Sequence, residues 1–454
     1  MSNKKYTRRN ALKIGTCCAA AAAAGAMVGG DIFSNADTEK HAKKSAPAKA
    51  VIEVWLAGGP SQLETFDPKP KAGKIYTGPI TDSIPTSVRG VEICSLMPNL
   101  AKHAEKYSLV RSMTHGIRGH ETAAYRMQTG REQGGQTVYP SIGSIVSFFQ
   151  GYDAGYDDLI PPFISLTGAK GRFVEAGYLG PKYKSFATGG DPARHPFYVD
   201  GIIAKGVSDA RQKKRRQLLN DLNAVGNLNQ AKQQLAIVEM QQRKAYELIL
   251  GKERKLFDLR TEPRQQRNKY GMNKFGQSCL MARRLVQRGV KYISINHGGW
   301  DTHKRHFEVV RNRTKILDMG LSALIEDLAK LDLLDSTVVW CCGEFGRTPR
   351  VMWESPWNGG RGHFGDCFSG LIAGGGFEGG KVVGATNYNA SEVVDRPVYP
   401  QDLLGSILLS MGIDPESEMP FGQSKDRKVM PAKMGDAKSK GRLLEIMPFA
   451  RSLA

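Results

Sequence analysis

Six of the nine histidines in this chain of 454 residues fall in three short segments that are predicted to be loops. They are His115 and His120, then His297, His303 and His306, and finally His363. Two of these segments directly follow predicted strands, and the loops that follow parallel strands meet at one edge of the sheet. Imidazole rings that meet there could bind a divalent metal ion, because neutral imidazole is a common ligand of zinc and other transition metals.

Carboxylates follow two further predicted strands toward the same edge. Glu64 and Asp67 come after the first strand, and Glu344 comes after the strand at 336–342. A single histidine or carboxylate is more often a packed or surface residue, so the prediction rests on the joint pattern. We predict a divalent metal site, with zinc as the expected ion and manganese or calcium as alternatives.

An alternation of strands and helices must position these loops. Buried-type runs predict strands at 51–57, 106–113, 159–166, 291–295 and 336–342, and helical periodicity predicts helices from about 121, at 274–288 and at 306–331. Pro161 and Pro162 restrict the third strand to an edge or to a late start. The glycine-rich segment 370–384 predicts an edge hairpin or a loop. This alternation is typical of an α/β domain with a parallel sheet.

The domain boundaries follow changes in composition. Arg8 and Arg9 precede an apolar, alanine-rich run at 14–28, which is typical of a twin-arginine signal peptide over residues 1–30. We predict a linker at 31–50, one α/β domain at 51–425 with a helical insertion at about 208–257, and a C-terminal tail at 426–454.

The signal predicts export by the twin-arginine translocase to the periplasm or the cell exterior. No stable membrane span is expected after cleavage, because the apolar run is short and consists mostly of alanine. An uncleaved signal that stays as an anchor is the alternative.

The charge balance is strongly basic, with 64 Lys and Arg against 44 Asp and Glu and a formal net charge of +20. This excess could steer anionic substrates to the protein, or it could belong to a solvated basic face. No nucleic-acid-binding motif is recognised, so nucleic acid is not an expected partner. Five of the seven cysteines lie outside the signal without a CxxC spacing, which argues against a disulfide framework and a zinc ribbon.

Four motifs resemble one family of exported bacterial proteins. They are Gly58–Pro70 (GGPSQLETFDPKP), His297–His303 (HGGWDTH), Gly343–Pro349 (GEFGRTP) and Gly360–His363 (GRGH). Together they are similar to the domain-of-unknown-function family 1501, a branch of the alkaline phosphatase–sulfatase superfamily. The resemblance covers nearly all of residues 51–425. It implies a three-layer sandwich, in which helices cover both faces of a large, mostly parallel sheet.

The resemblance also implies a reacting group at the start of a helix. Superfamily hydrolases carry a hydroxyl or formylglycine nucleophile there, and His120 occupies that place in the run that ends at Thr129 and Gly130. Thr122 lies two places later, so His120 and Thr122 are the candidate catalytic residues, and His120 could instead bind metal. The sulfatase motif Cys-x-Pro-x-Arg is absent from the sequence, which argues against a formylglycine sulfatase.

The ligands and anion-binding residues implied by the resemblance come from the same motifs. Phe345 stands where superfamily phosphatases have a second-site histidine, and His306 could replace His303 as a ligand. The candidate metal ligands are Glu64, Asp67, His297, Asp301, His303, Glu344 and His363, and the candidate substrate-binding residues are Arg118, Arg126, Arg347 and Arg361.

The resemblance implies an exported, metal-dependent hydrolase of phosphate or sulfate esters, with a sulfated or phosphorylated glycan as a candidate substrate. The alternative is a non-catalytic exported protein that keeps the fold and binds a glycan or a cell-envelope partner. The altered nucleophile position and Phe345 favour the alternative. Retention of Asp301, His303, Glu344 and His363 favours the hydrolase.

Overall fold

The computed structural model describes residues 46–134, 137–167, 175–195, 197–199, 252–419, 427–432 and 438–453, with isolated positions between 208 and 218. The strands are β1 (Ala50–Trp55), β2 (Ser83–Pro85), β3 (Glu92–Cys94), β4 (Tyr107–Met113), β5 (Phe163–Leu166), β6 (Phe186–Ala187), β7 (Tyr292–Asn296), β8 (Thr337–Cys342), β9 (Gly346–Arg347), β10 (His363–Phe364), β11 (Phe368–Ala373), β12 (Val382–Val383), β13 (Ala385–Thr386) and β14 (Val393–Asp395). The α-helices are α1 (Lys74–Thr77), α2 (Pro98–Ala101), α3 (His120–Thr129), α4 (Ile142–Gln150), α5 (Arg264–Tyr270), α6 (Lys274–Gln287), α7 (His306–Lys330) and α8 (Pro400–Ser410).

Eight strands form the central sheet in the order β12-β4-β11-β8-β1-β7-β5-β6. β1 pairs in parallel with β7 and β8, and β5 pairs in parallel with β6 and β7. β12 is parallel to β4, whereas β11 is antiparallel to both β4 and β8. The sheet is therefore mostly parallel, with one reversed strand near its centre.

Helices cover both faces of this sheet because successive strand side chains point to opposite sides. On β1, Ile52 and Val54 pack into the core that α6 and α7 cover. Val51 and Trp55 pack into a second core, which α3, α4 and α8 cover. The arrangement confirms the predicted three-layer α/β sandwich.

Most predicted elements form, and the glycine-rich segment is the main exception. All five predicted strands are present, and the third begins late, at Phe163, directly after Pro161 and Pro162. The expectation of an edge hairpin or loop at 370–384 is wrong for its first part, because Phe368–Ala373 is a buried central strand. Gly370 suits that position, since a β-carbon there would lie 3.2 Å from the carbonyl oxygen of Cys341.

The remaining boundary predictions are untested at the N-terminus and in the insertion. Residues 1–45 and most of 208–257 lie outside the described residues. Ala46–Ala454 forms one compact unit. Within the predicted C-terminal tail, Leu443, Met447 and Ala450 are buried in the core that α8 covers.

The five cysteines outside the predicted signal are all free and buried. Cys341 and Cys342 are core residues of β8, on opposite faces of the sheet. None of the helices in the described residues has the length and apolar character that crossing a membrane requires.

One acidic side chain is buried in the middle of β1. Glu53 is 2% exposed and accepts hydrogen bonds from Gln128 of α3 and from the hydroxyl of Tyr292, the latter at 3.1 Å. Burial raises the pKa of Glu53 from 4.5 to about 7, although the hydrogen bonds from Gln128, Tyr292 and Ser294 act in the opposite direction. Neutral Glu53 therefore stabilises the fold below pH 4.5, and this contribution is lost as the pH rises through 7.

Glu53→Gln should increase the free energy of unfolding at pH 8 by up to about 3 kcal/mol, since the amide mimics the neutral acid. At pH 5 the difference from the wild type should be small. Urea unfolding at both pH values measures it, with the exposed Glu354→Gln as a matched control. Equal stability of Glu53→Gln and the wild type at pH 8 would contradict the prediction.

Candidate metal centre

The carboxyl edge of the sheet brings together loops that are distant in the sequence. β4 leads to His120 at the start of α3, β7 leads to Asp301 and His303, and β8 leads to Glu344. His363 lies on β10, shortly before β11. Because β11 runs antiparallel to its neighbours, the chain enters it at the edge where the parallel strands end.

Four side chains converge at this edge, and we call His120, Asp301, His303 and His363 the histidine cluster. Asp301 Oδ1 lies 3.1 Å from His303 Nε2 and 3.2 Å from His363 Nε2, and Asp301 Oδ2 lies 3.4 Å from His120 Nε2. The Nε2 atoms of His303 and His363 are 2.9 Å apart. One donor atom each from His120, Asp301 and His363 lie within 4.8 Å of one another, a spacing that suits ligands of a single ion.

Hydrogen bonds on the far side of two rings fix where their protons lie. His120 Nδ1 donates to Glu344 Oε1 at 2.7 Å, and His363 Nδ1 donates to the carbonyl oxygen of Arg118 at 2.7 Å. Both partners only accept hydrogen bonds, so in the neutral rings each Nε2 keeps its lone pair. Those lone pairs face Asp301, and this is the way metal-binding histidines are usually oriented.

Two buried atoms beside the cluster lack hydrogen-bond partners among the described residues. They are Glu344 Oε2 and His303 Nδ1. Glu344 is 4% exposed, and its Oε1 accepts from the amide of Gly58 at 2.8 Å as well as from His120. A buried polar atom without a partner is costly, so Glu344 Oε2 and the converging lone pairs fit a site that holds a cation, whereas His303 Nδ1 faces away from the cluster.

The charges around the cluster keep Asp301 ionised. Burial raises the pKa of this carboxyl, but the hydrogen bond and positive charge of Arg347 outweigh it and lower the pKa to about 2. The hydrogen bond to Glu344 raises the pKa of His120, whereas burial lowers the pKa of His303. An ionised carboxylate among imidazoles is a donor set that zinc and manganese accept.

Arg347 is buried and supports the site from within the protein. Its guanidinium donates to Asp301 Oδ1 at 2.6 Å, to the carbonyl oxygen of Gly59 at 3.0 Å and to that of Arg361 at 3.2 Å, and it also donates to the carbonyl of Gly58. Gly58 has φ 110°, and a β-carbon there would lie 2.3 Å from the amide nitrogen of Asp301. Arg347 therefore positions Asp301, and its burial does not fit the predicted binding of substrate.

Glu64 and Arg361, predicted as a metal ligand and a substrate-binding residue, pair with each other instead. Arg361 Nη2 donates to Glu64 Oε1 at 2.6 Å, and the two side chains are 0% and 1% exposed. His306, the suggested substitute for His303, lies in the same buried group. The structure does not bring these three residues into the cluster, because their charged and polar atoms face one another.

Asp67 and His297 also lie outside the cluster. Asp67 is buried beside Lys69 and accepts from the Thr386 hydroxyl. His297 Nε2 donates to the carbonyl oxygen of Arg313 at 3.3 Å, and burial lowers the pKa of its ring to about 4. The neutral ring faces the helical layer instead of Asp301.

The other predicted residues differ in their exposure. Arg126 is 2% exposed and donates to Gln401 at 3.2 Å, which does not suit substrate binding. Arg118 is 65% exposed and pairs with Asp366 at 2.9 Å, so it can reach a ligand. Thr122 is half-buried in the first turn of α3, two residues after His120.

Two neighbours of the cluster were not assigned a role from the sequence. His115 Nε2 donates to the carbonyl oxygen of Glu344 at 2.7 Å, and its Nδ1 accepts from the amide of Ile117. The ring of Phe345 stacks on His363 with centroids 4.6 Å apart and lies 5.0 Å from His120. The sequence contained one indirect signal that His115 and Phe345 lie near the site, since each is within five positions of a predicted site residue.

A family model described as protein of unknown function (DUF1501) matches residues 48–435. The chain belongs to this family. The match confirms the family inferred from the four motifs. No curated protein sequence matches the chain.

Solved structures with a related arrangement are distant from this chain. The lipoteichoic acid synthase LtaP from Listeria monocytogenes is 9% identical, with 88% of this chain and 80% of that chain covered and a TM-score of 0.37. The PsFucS1 sulfatase from Pseudoalteromonas sp. is 13% identical, with coverages of 83% and 72% and a TM-score of 0.38. The C-terminal periplasmic domain of EcEptC from Escherichia coli, in complex with Zn, is 9% identical, with coverages of 85% and 87% and a TM-score of 0.36. Similarities this low do not indicate which residues of this chain bind a metal ion or a substrate.

Arg347→Met should lower the free energy of unfolding by about 2–4 kcal/mol, because several buried carbonyl oxygens lose their donor. Arg118→Met is the matched control, since it removes an exposed arginine from one surface ion pair and should cost less than about 1 kcal/mol. Urea unfolding at pH 7 measures both variants. Equal losses in the two would show that Arg347 does not hold the loops together.

Proposed function

We propose that the protein is a metal-dependent hydrolase of phosphate or sulfate esters that works outside the cytoplasm. The observation that carries the proposal is the histidine cluster. Its three Nε2 atoms lie 3.1–3.4 Å from the carboxylate of Asp301, and donor atoms of His120, Asp301 and His363 lie within 4.8 Å of one another. The cluster is open to solvent, since the side chain of Asp301 is 45% exposed and that of His120 is 38% exposed. A substrate can therefore reach the proposed ion.

Zinc fits the donor set best, and manganese is the alternative. An ion held there would supply Lewis acidity and neutralise charge beside an anionic ester. The chain contributes the orientation of the ligands. Arg347 keeps Asp301 ionised, and Glu344 and the carbonyl of Arg118 turn His120 and His363 toward the centre.

The start of α3 supports an anionic substrate. α3 begins at His120, inside the cluster, and Gly119 before it has no side chain that could cap the helix. The amides of the first turn of a helix have no partner within the helix, and the helix dipole favours negative charge at this end. Arg118, two residues earlier, adds a solvent-accessible positive charge.

The N-terminal sequence supports a location outside the cytoplasm. Arg8 and Arg9 followed by an apolar run are typical of the twin-arginine route, which carries folded proteins. A protein that takes this route could bind metal before transport. A sulfated or phosphorylated glycan remains the candidate substrate, in keeping with the basic charge of the chain.

A binding protein without catalysis is the second candidate function. The apolar ring of Phe345 stacks on His363 and contacts His120, and it adds no ligand or proton donor. Within the described residues, no serine, threonine or cysteine side chain forms a hydrogen bond with the histidine cluster. These observations favour a site that binds an anion through metal without a covalent step.

Protein purified without chelator should contain about one divalent ion per chain, measured by inductively coupled plasma mass spectrometry. Asp301→Ala and His363→Ala should lower the metal content to background, because each removes a ligand. His103→Ala is the matched control, since His103 lies before β4 at the opposite end of that strand and near Glu326. Metal-free wild-type protein, together with unchanged thermal stability in both ligand variants, would contradict the metal site.

Turnover of an aryl phosphate or an aryl sulfate separates the two functions. A hydrolase should lose activity by about 100-fold or more in Asp301→Ala, because the ion is lost. Thr122→Val should keep its activity if no covalent threonine intermediate forms. Bound metal without turnover of either ester would favour the binding protein, and loss of turnover in Thr122→Val would restore the threonine as the reacting group.

A further inference from the structure

Glu64, His306 and Arg361 form a closed group of buried polar side chains, which we call the buried clamp. The exposed fractions are 1% for Glu64 and 0% for His306 and Arg361. Glu64 Oε1 lies 2.6 Å from Arg361 Nη2, and Glu64 Oε2 lies 3.1 Å from His306 Nε2. His306 Nε2 is also 3.2 Å from Arg361 Nε, so each member contacts the other two.

Arg361 extends this group to several loops through its remaining donors. Its Nη1 donates to the carbonyl oxygen of Thr348 at 2.9 Å and to that of Pro349, and its Nη2 donates to the carbonyl of Tyr76. The charge of Glu64 holds the guanidinium in place, since a buried arginine without a carboxylate partner is unfavourable. Opposite charges also lower the pKa of Glu64 to about 2 despite its burial, and they keep it ionised.

The clamp reaches the histidine cluster through Thr302, which lies between Asp301 and His303. Thr302 Oγ1 is 2.6 Å from His306 Nδ1, and the carbonyl oxygen of Thr302 accepts from the amide of Arg361 at 3.2 Å. Arg361 lies two residues before His363. The two loops that supply three members of the cluster are thus joined at the clamp.

We infer that the buried clamp of Glu64, His306 and Arg361 positions the Asp301–His303 loop against the His363 loop and so sets the spacing of the metal-binding side chains. A zinc ion accepts ligands only within a narrow range near 2.0–2.2 Å, so small displacements of either loop weaken binding. The residues act through the loops and are positioning residues. The inference takes the metal from the proposed function, whereas the joining of the loops can be measured without metal.

Hydrogen–deuterium exchange on the full chain tests the joining of the loops. Glu64→Gln keeps the shape and removes the charge, and it should speed exchange by about 10-fold or more in peptides covering both 298–306 and 358–366. Asp318→Asn is the matched control. It changes another buried carboxylate, on α7, which caps α2 by accepting from the amides of Asn99 and Leu100. That variant should speed exchange near 97–103 and leave the two site loops unchanged.

Cobalt(II) titration of the same proteins tests the spacing of the ligands. The Kd should rise by about 10- to 100-fold in Glu64→Gln and stay unchanged in Asp318→Asn. Folded Glu64→Gln with wild-type exchange in both loops would overturn the clamp, and so would an unchanged cobalt Kd. Absence of cobalt binding in the wild type would overturn the proposed metal site, while exchange would still decide whether the loops are joined.

Thr302→Val provides a second variant if Glu64→Gln does not fold. It removes the hydroxyl that contacts His306 and leaves the Glu64–Arg361 ion pair in place. The same two loops should exchange faster by a smaller factor, about 3-fold or more. Unchanged exchange in both loops of Thr302→Val would contradict the role of the clamp.

Discussion

The geometry of the site depends on the hydrogen bonds that one buried guanidinium, that of Arg347, donates to the surrounding loops. Arg347 is fully buried, and a charge in that position must be neutralised and hydrogen-bonded. Asp301 supplies the negative charge. The other N–H groups of Arg347 donate to carbonyl oxygens of Gly58 and Gly59, in the loop after β1, and of Arg361. These contacts fix three separate loops relative to one carboxylate. The carboxylate is consequently ionised and oriented by the protein itself.

The direction of β11 makes this arrangement possible. In a fully parallel sheet the chain would enter each strand at the amino edge, away from the ligand-binding loops. β11 runs the other way, so the segment before it crosses the carboxyl edge and carries His363 to Asp301. Buried polar contacts then hold that segment, since Arg361 donates to carbonyls of neighbouring loops. One reversed strand thus adds a ligand to a site built by parallel ones.

Oriented imidazoles distinguish this edge from an ordinary cluster of polar residues. Glu344 and the carbonyl of Arg118 determine which nitrogen of His120 and His363 carries the proton. The free lone pairs then point to Asp301, and one oxygen of Glu344, Oε2, remains buried without a partner among the described residues. An arrangement with unpaired buried atoms is stable only if a ligand completes it or if other packing offsets the cost. The proposed function rests on a bound metal ion that completes the site.

Local patterns in the sequence determined the strands, the long helices and the loops that could carry chemistry. Buried runs and strand–helix order depend on neighbouring residues, so the strands at 291–295 and 336–342 were predictable, and the loops with Asp301, His303 and Glu344 followed from them. The central strand at Phe368–Ala373 escaped prediction, because its glycine is typical of a loop and only the neighbouring backbone shows why glycine is needed there.

Only the tertiary structure decided which charged residues face each other and which face solvent. Glu64, Arg347 and Arg361 have the residue types of a ligand and of anion-binding groups, yet they are buried in ion pairs with partners 46 or more positions away in the chain. Arg118 has the same type as Arg361 and lies at the surface. Residue type sets what a side chain can bind, whereas its partner is set by long-range packing, which leaves no signal in the local sequence.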